Sequence, residues 1–515
     1  MRDTKSRPLP VCNSIAPMAQ GASSNQAWRG PGLLAAAASL LLGAAGLAGC
    51  GGPSQPVATP SGDSADYPSG PYPSIDTSSV TACDWVVGQN PQATPVPSGW
   101  IDLQAGYWSF SMSTNFPVGT TVKIQGQYPN ARFFSFDVGE GIGAVVDYRE
   151  DYRIAPFSGS QSPYTGPTSY DASIAPGGTY TVYLVFGPKP AQSAKNTLYV
   201  DTSTFPSTTK SVITILRIYN APPTMAIADS GGYPLPTLTV ETAQGEVPIS
   251  GFNPGTTSCQ NTNNLENAIS TAATEALNQL YSTPQAPNPI PPLPLPTQPS
   301  FYIYRPASND LSANLTINAD IQYGFWEIHQ TSGDLVYIRA RAPTYVTQNG
   351  IGAQTYSTSS DANVRHWALC TNGIGPILEG LGASLTTAIE LANSQTFACV
   401  EDYTATLDGD GYFNILISIP GKQPAAALLA QGYDWLTYGN TNIGVPIYRQ
   451  VVPSADYSQA MANVSDNIVL LPQLIAQVMG NYMPQSTYCG SSVFANHVQA
   501  GESHAQVFAA CQAGQ

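Results

Sequence analysis

The sequence predicts a mainly β protein, built as two related β-sandwich or jelly-roll-like units with a few inserted helices. Three observations carry that prediction. Among 515 residues there are 46 Gly, 45 Pro and 28 Tyr but only 10% charged residues, a balance that suits turn-rich β structure better than helical bundles. Stretches rich in β-branched and aromatic residues recur between Gly, Pro and Asn punctuation. These stretches also recur in the same order in the two halves of the chain.

Residues 1–49 read as an export signal. Arg2, Lys5, Arg7 and Arg29 precede an apolar, Ala/Gly-rich run from Gly32 to Gly49, and small residues close it. That run is marginal for a membrane span, which needs about 20 strongly apolar residues. Met18 would give a more ordinary leader than Met1. Leu47-Ala48-Gly49-Cys50 resembles the lipobox of bacterial lipoproteins. The resemblance implies a diacylglyceryl group on Cys50, cleavage ahead of it and a membrane anchor. Residues 50–99 follow as a stalk rich in Pro, Ser and Gly.

The first β unit is expected over residues 100–245. Its strands are 120–128 (TTVKIQGQY), 131–138 (ARFFSFDV), 180–186 (YTVYLVF) and 211–219 (SVITILRIY). Residues 246–300 form a connector. In it, 265–280 has helical spacing, and the proline-dense 283–299 reads as a stiff polyproline spacer. The second β unit, 301–455, places strands at 301–306, 334–343, 363–370, 412–418 and 445–452, with a helix inserted at 377–395. Residues 456–515 read as a helical C-terminal segment with a disulfide. There, 457–480 forms a helix kinked at Pro472.

The two β units align as copies. TTVKIQGQY matches DLVYIRARAP, ARFFSFDV matches NVRHWALCTN, and VDYREDYRIAP matches CVEDYTATLD. Further on, GGTYTVYLVFGPKP matches DGDGYFNILISIPGKQP, and ILRIYNAPP matches PIYRQVVPS. Arg132 and Arg365, Asp151 and Asp402, and Arg217 and Arg449 fall on matching places.

Loss of a leader holding four Lys/Arg and one Asp leaves 14 basic and 32 acidic residues, a net charge of −18. That balance excludes a nucleic-acid partner, whose phosphates need a basic footprint, and electrostatic docking on anionic lipid. With Cys12 in the leader and Cys50 lipidated, six cysteines remain: Cys83, Cys259, Cys370, Cys399, Cys489 and Cys511. An even number in an oxidising compartment reads as three disulfides, with 15 connectivities open in principle. Proximity favours Cys370–Cys399 and Cys489–Cys511, leaving Cys83–Cys259. No CxxC pair or zinc-finger His spacing points to a metal.

Several phrases resemble an uncharacterised family of bacterial secreted β-domain proteins of unknown function. They are ARFFSFDV, ILRIYNAPP with GGYPLPTLTV, VRHWALCTN with ACVEDYTATLDGDGYF, and VMGNYMPQSTYC. The resemblance covers most of residues 100–490. It implies the β fold and the Cys370–Cys399 pairing, and brings no substrate or catalytic residue.

Four residues are the functional candidates: Asp147, Asp151, Asp402 and His366. Asp147 and Asp151 lie in the charged run 147–153, where paired carboxylates could share acid and base roles. The competing reading is an Arg–carboxylate ladder on a strand surface. His366 sits in a strand near Asp402 in the repeat alignment, but no serine completes a triad. No GxSxG elbow occurs. Asp408-Gly409-Asp410-Gly411 departs from the EF-hand spacing and reads as a turn. His497, Glu502 and His504 read as a solvated tail. Trp85, Trp100, Trp108, Tyr128, Tyr148, Tyr152, Trp367, Trp435 and Tyr438 could form a binding face or pack in cores.

The expectation is a membrane-anchored extracytoplasmic lipoprotein with a non-catalytic binding or envelope-structural role. Its partners would be the membrane through its lipid and a glycan, polymer or envelope protein. No cofactor and no metal are expected. The runner-up is an extracytoplasmic hydrolase using paired carboxylates, acting on carbohydrate.

Overall fold

The computed structural model describes residues 66–89, 101–140, 145–205, 207, 209–219, 230–252, 298–304, 320–329, 332–345, 362–374, 394–440 and 443–514. Cys50, Trp100, Cys259 and the helix expected at 265–280 lie outside these residues, as do most of the expected 283–299 spacer and 377–393 of the 377–395 helix.

The first repeat opens with β1 (Ala82–Gln89), β2 (Ala105–Ser113), β3 (Thr121–Gln127) and β4 (Phe133–Glu140). It continues with β5 (Val145–Glu150), a small hairpin of β6 (Tyr164–Gly166) and β7 (Ser169–Tyr170), and β8 (Thr179–Phe186). β9 (Thr197–Val200), β10 (Ser211–Tyr219), β11 (Thr237–Thr242) and β12 (Gly245–Pro248) complete it. The strands form one sheet of order β1-β2-β10-β4-β5 and another of order β12-β11-β3-β8-β9.

The second repeat contains β13 (Tyr302–Tyr304), β14 (Ile321–Phe325), β15 (Ile328–His329), β16 (Leu335–Arg341) and β17 (Val364–Ile374). Then come β18 (Ser394–Glu401), β19 (Tyr412–Ser418), the short helix α1 (Ala426–Leu429), β20 (Asp434–Thr437) and β21 (Ile443–Pro453). Its inner sheet runs β13-β14-β21-β17-β18. α2 (Pro472–Met479) leads to β22 (Gln485–Cys489), and α3 (Ser491–Gln499) and α4 (His504–Ala513) end the chain. β22 completes an outer sheet of order β20-β19-β16-β22.

The duplication is visible in the order of the strands. β13-β14-β21-β17-β18 repeats β1-β2-β10-β4-β5, and in each outer sheet the last pairing, β8 with β9 or β19 with β20, is parallel. Register repeats as well: Arg217 faces Ser135 across one pair and Arg449 faces Ala368 across the other.

Alternation along the strands builds two cores. Phe134, Phe136 and Val138 point inward from β4 to meet Val122, Ile124, Val182 and Leu184 of the opposing sheet. In the second repeat, Trp367 and Leu369 meet Ile338, Phe413, Ile415 and Ile417. Burying such a side chain contributes roughly 1.5–3 kcal/mol. β16 and β19 are buried on their other face too, where Tyr337 and Leu416 pack under Phe494, Val507 and Phe508 of α3 and α4. That second covering explains the near-continuous apolar text of both strands.

Several boundaries differ from expectation. The stalk cannot run to residue 99, because β1 pairs with β2, and Val80 and Ala82 fill the first core. That core also takes Ile249 and Phe252 from the expected connector. The continuous helix over 457–480 is absent. Pro472 sits in the first turn of α2, where its missing N–H costs nothing, so the helix starts there instead of kinking. Ser394 and Gln395, expected to end an inserted helix, belong to β18. The C-terminal segment also contributes β22 to a sheet.

Cys370 pairs with Cys399 directly across β17 and β18, and Cys489 pairs with Cys511, tying β22 to α4. Cys83 is disulfide-bonded too. Ser503 caps α4 in a reciprocal capping box with Gln506. Replacing both Cys489 and Cys511 by Ser should lower stability by about 2–3 kcal/mol, read from the urea midpoint; an unchanged midpoint would mean the helices hold without the cross-link.

Candidate functional site

Strand alternation that sends Phe134 and Trp367 inward leaves Phe133, Ser135 and Asp137, and likewise His366, Ala368 and Cys370, on the opposite faces. Those faces pack on one another. Ala105, Phe133 and Tyr219 of the first repeat meet Ile321, Val451 and Val452 of the second. Charged groups surround this apolar patch, and they are buried with it.

Each repeat's arginine pairs with the other repeat's aspartate. Arg132 Nη1 and Nη2 donate to Asp402 Oδ1 and Oδ2 at 2.5 and 2.8 Å. Arg365 Nη1 donates to Asp151 Oδ2 at 3.1 Å. The backbone repeats the exchange: Arg132 Nη2 donates to the Arg365 carbonyl at 2.9 Å, and Arg365 Nη1 to the Arg132 carbonyl at 3.1 Å. The aspartates are seated alike. Asp151 Oδ2 accepts from the Phe134 amide, and Asp402 Oδ2 from the Trp367 amide.

A second ring of acids follows the same rule. Glu150 lies opposite Ser135, and Glu401 opposite Ala368. Asp320 of the second repeat comes up against Glu150, and burial followed by that neighbour holds its pKa well above the usual carboxylate range. Asp102 of the first repeat comes up beside Glu401, whose pKa burial and Asp102 push to about 8.

The symmetry is broken among these charged groups at His366, which stands where the first repeat has Phe133. Its Nδ1 lies 3.0 Å from Asp402 Oδ2, and its Nε2 lies 3.1 Å from Glu401 Oε2 and 3.6 Å from Asp102 Oδ2. Burial opposes its charge, yet Asp402, Asp102 and Glu401 outweigh that and hold its pKa well above the ordinary value. The aspartates diverge accordingly. Burial pushes Asp151 up to about 6, with Arg365 opposing. Asp402 feels the same burial, but Arg132 and His366 together hold it below the ordinary value.

Of the four candidates, Asp151, Asp402 and His366 are thus brought to the junction. Asp147 is not part of it: it accepts from Lys189 Nζ at 2.8 Å and from the Tyr199 amide at 2.9 Å. The expected surface ladder over 147–153 does not form. The strand ends at Glu150, and a 3-10 turn over Asp151–Arg153 turns Asp151 inward, while Arg149 bonds the Thr197 carbonyl. Asp102, Glu401 and Asp320 carry no local motif. The matched Arg and Asp of the repeat alignment were the signal that pointed toward this place.

Other expectations resolve into structure. Asp408 closes a hairpin: its Oδ1 accepts from the Asp410 and Tyr412 amides, and Gly411 adopts φ +79° there, which favours glycine. Instead of a solvated tail, His497 pairs with Glu502, and His504 packs on Tyr433 at the start of α4. Trp108, Tyr128, Trp367 and Tyr438 serve the cores.

Beside Asp402 opens a shallow hollow of about 140 Å³, lined by Arg341, Thr344, Tyr345, Trp367, Asp410 and Tyr482 among others. Ligand pockets usually measure about 300–1,000 Å³. Both Asp402 oxygens are already engaged, so the carboxylate is poorly placed to act as a base there.

These features define a class: a mainly β, two-repeat protein whose repeats are joined by a buried polar face. No family model matches the chain, and no curated protein matches it. Among solved structures, an uncharacterised protein from Burkholderia cenocepacia is similar at 11% identity and TM-score 0.38, over 73% of this chain and 79% of that one. The BSP domain of a biofilm-associated protein is similar at 9% identity and TM-score 0.19, over 76% and 53%. A partial N-terminal region of an enterococcal surface protein is similar at 8% identity and TM-score 0.16, over 76% and 88%.

Proposed function

We propose that this chain is an extracytoplasmic envelope protein, tethered through a lipid on Cys50, with a non-catalytic binding or structural role. One observation carries the choice over hydrolysis: the candidate acids are consumed by cations. Asp402 is held by Arg132, Asp151 by Arg365 and Asp147 by Lys189. Carboxylates committed in this way join two repeats and offer little to a substrate. The disulfides support an oxidising compartment. Among the described residues no helix is long and apolar enough to cross a membrane. The partner class is a glycan, a polymer or an envelope protein.

Growth of the producing cell with radiolabelled palmitate tests the anchor. The wild-type chain should take up label and Cys50→Ser should not; a Cys50→Ser chain that still carries label would refute it. Incubation of the purified protein with cell-wall fractions tests the role. Retention without release of reducing sugar is expected, and sugar release abolished by Asp402→Asn would favour the hydrolase.

A further inference from the structure

The junction around His366 holds more than paired charges. Asp102 Oδ2 and both Glu401 oxygens are buried and meet no hydrogen-bond donor besides His366 among the described residues. Asp102 Oδ1 is engaged by the Gln104 amide, which leaves Oδ2 turned toward Glu401 and His366. His366 Nε2 approaches both acids, lying 3.6 Å from Asp102 Oδ2 and 3.1 Å from Glu401 Oε2. Tetrahedral ligands about 2.0–2.2 Å from a zinc ion lie roughly 3.3–3.6 Å apart. The separations of His366 Nε2 from Glu401 Oε2 and Asp102 Oδ2, 3.1 and 3.6 Å, are close to that spacing.

We propose that Asp102 Oδ2, Glu401 Oε2 and His366 Nε2 form a buried site for one divalent transition-metal ion of the Zn²⁺ class. Two carboxylates and one imidazole suit such an ion in charge and donor type. The outer groups fit as well. His366 Nδ1 faces Asp402 Oδ2 at 3.0 Å, and Arg132 in turn grips Asp402. A carboxylate on the far nitrogen is the arrangement that fixes the tautomer of metal-bound histidines. The Cys370 and Cys399 sulfurs lie within 4.8 Å of the Asp102 and Glu401 oxygens, but they are committed to each other and supply no thiolate. Because Asp102 comes from one repeat and His366 and Glu401 from the other, the ion would staple the two. The sister position, with Glu150, Asp320 and Phe133, lacks the nitrogen ligand, so one ion per chain follows, not two.

The test uses protein expressed from the full-length gene, stripped with chelator and titrated with Zn²⁺ and Mn²⁺ in metal-free buffer. Mass spectrometry under native conditions and calorimetry should give one ion per chain, with proton release on binding and a raised Tm. Glu401→Gln should weaken binding at least tenfold, Asp402→Asn about 10–100-fold, and Glu150→Gln not at all. Circular dichroism checks that each variant is folded. Should Glu401→Gln not fold, Co²⁺ loaded into the parent protein decides: a ligand-field band without thiolate charge transfer is expected. Absence of that band, absence of a bound ion, or equal affinity in folded Glu401→Gln overturns the site.

Discussion

Arg132→Ala should lower the stability of the folded chain by about 3–5 kcal/mol, the cost of breaking a buried ion pair by removing one partner. Asp402 is fully buried, and the guanidinium is its bidentate partner. Losing that partner also removes the donor to the Arg365 carbonyl. Urea unfolding of the variant measures the loss. The double variant Arg132→Met/Asp402→Leu should recover only part of it: the apolar pair removes the stranded charge, but the Trp367 amide and His366 Nδ1 lose their acceptor. A loss below about 1 kcal/mol for Arg132→Ala would mean that the junction contributes little to folding. Arg365→Ala should cost less, because burial already raises Asp151 to about 6 with its partner in place and a proton can replace the guanidinium.

The second large effect is a stability that falls as pH rises. Asp151 and Asp320 both have pKa values raised in the folded chain, Asp151 to about 6, by burial first. An acid with a raised folded value keeps its proton in the native state after the unfolded chain has shed it. Native protein then binds more protons, and unfolding free energy declines with pH. For Asp151 the decline begins near pH 4 and is complete above about pH 6, worth up to roughly 3 kcal/mol. Asp320 extends it to higher pH. Urea midpoints measured with chelator present, from pH 5 to pH 8.5, should therefore fall. Asp320→Asn should flatten the upper part of the curve. A midpoint that rises across this range would contradict the assignment.

Much of the fold was legible because strand text is local. YFNILIS and SVITILRIY read as strands from side-chain type alone, and both strands occupy those residues. The repeat was legible because matched Arg and Asp residues punctuate matched strands. What escaped was whatever depends on distant packing. Val80 and Ala82 follow Pro- and Ser-rich text, so nothing nearby announced that they fill a core. Pro472 was read as a kink because its position relative to a helix start is set by the preceding 3-10 turns. The junction was half legible. Asp151 stood out in the charged run 147–153, and His366 and Asp402 through the repeat alignment, whereas Asp102 and Asp320 are brought in from segments ahead of β2 and β14 by the closing of one repeat on the other.

The swapped arginines imply an ancestry. In a twofold homodimer every cross-subunit contact occurs twice, with partners exchanged, and the Arg132–Asp402 and Arg365–Asp151 pairs retain that relation inside one polypeptide. Such an arrangement is what gene duplication and fusion of a self-pairing single-repeat protein would leave behind. Once joined, the halves no longer had to share a sequence. Phe133 and His366 show what that release permits: two descendants of one position, free to take up unlike chemistry on either side of a former symmetry axis.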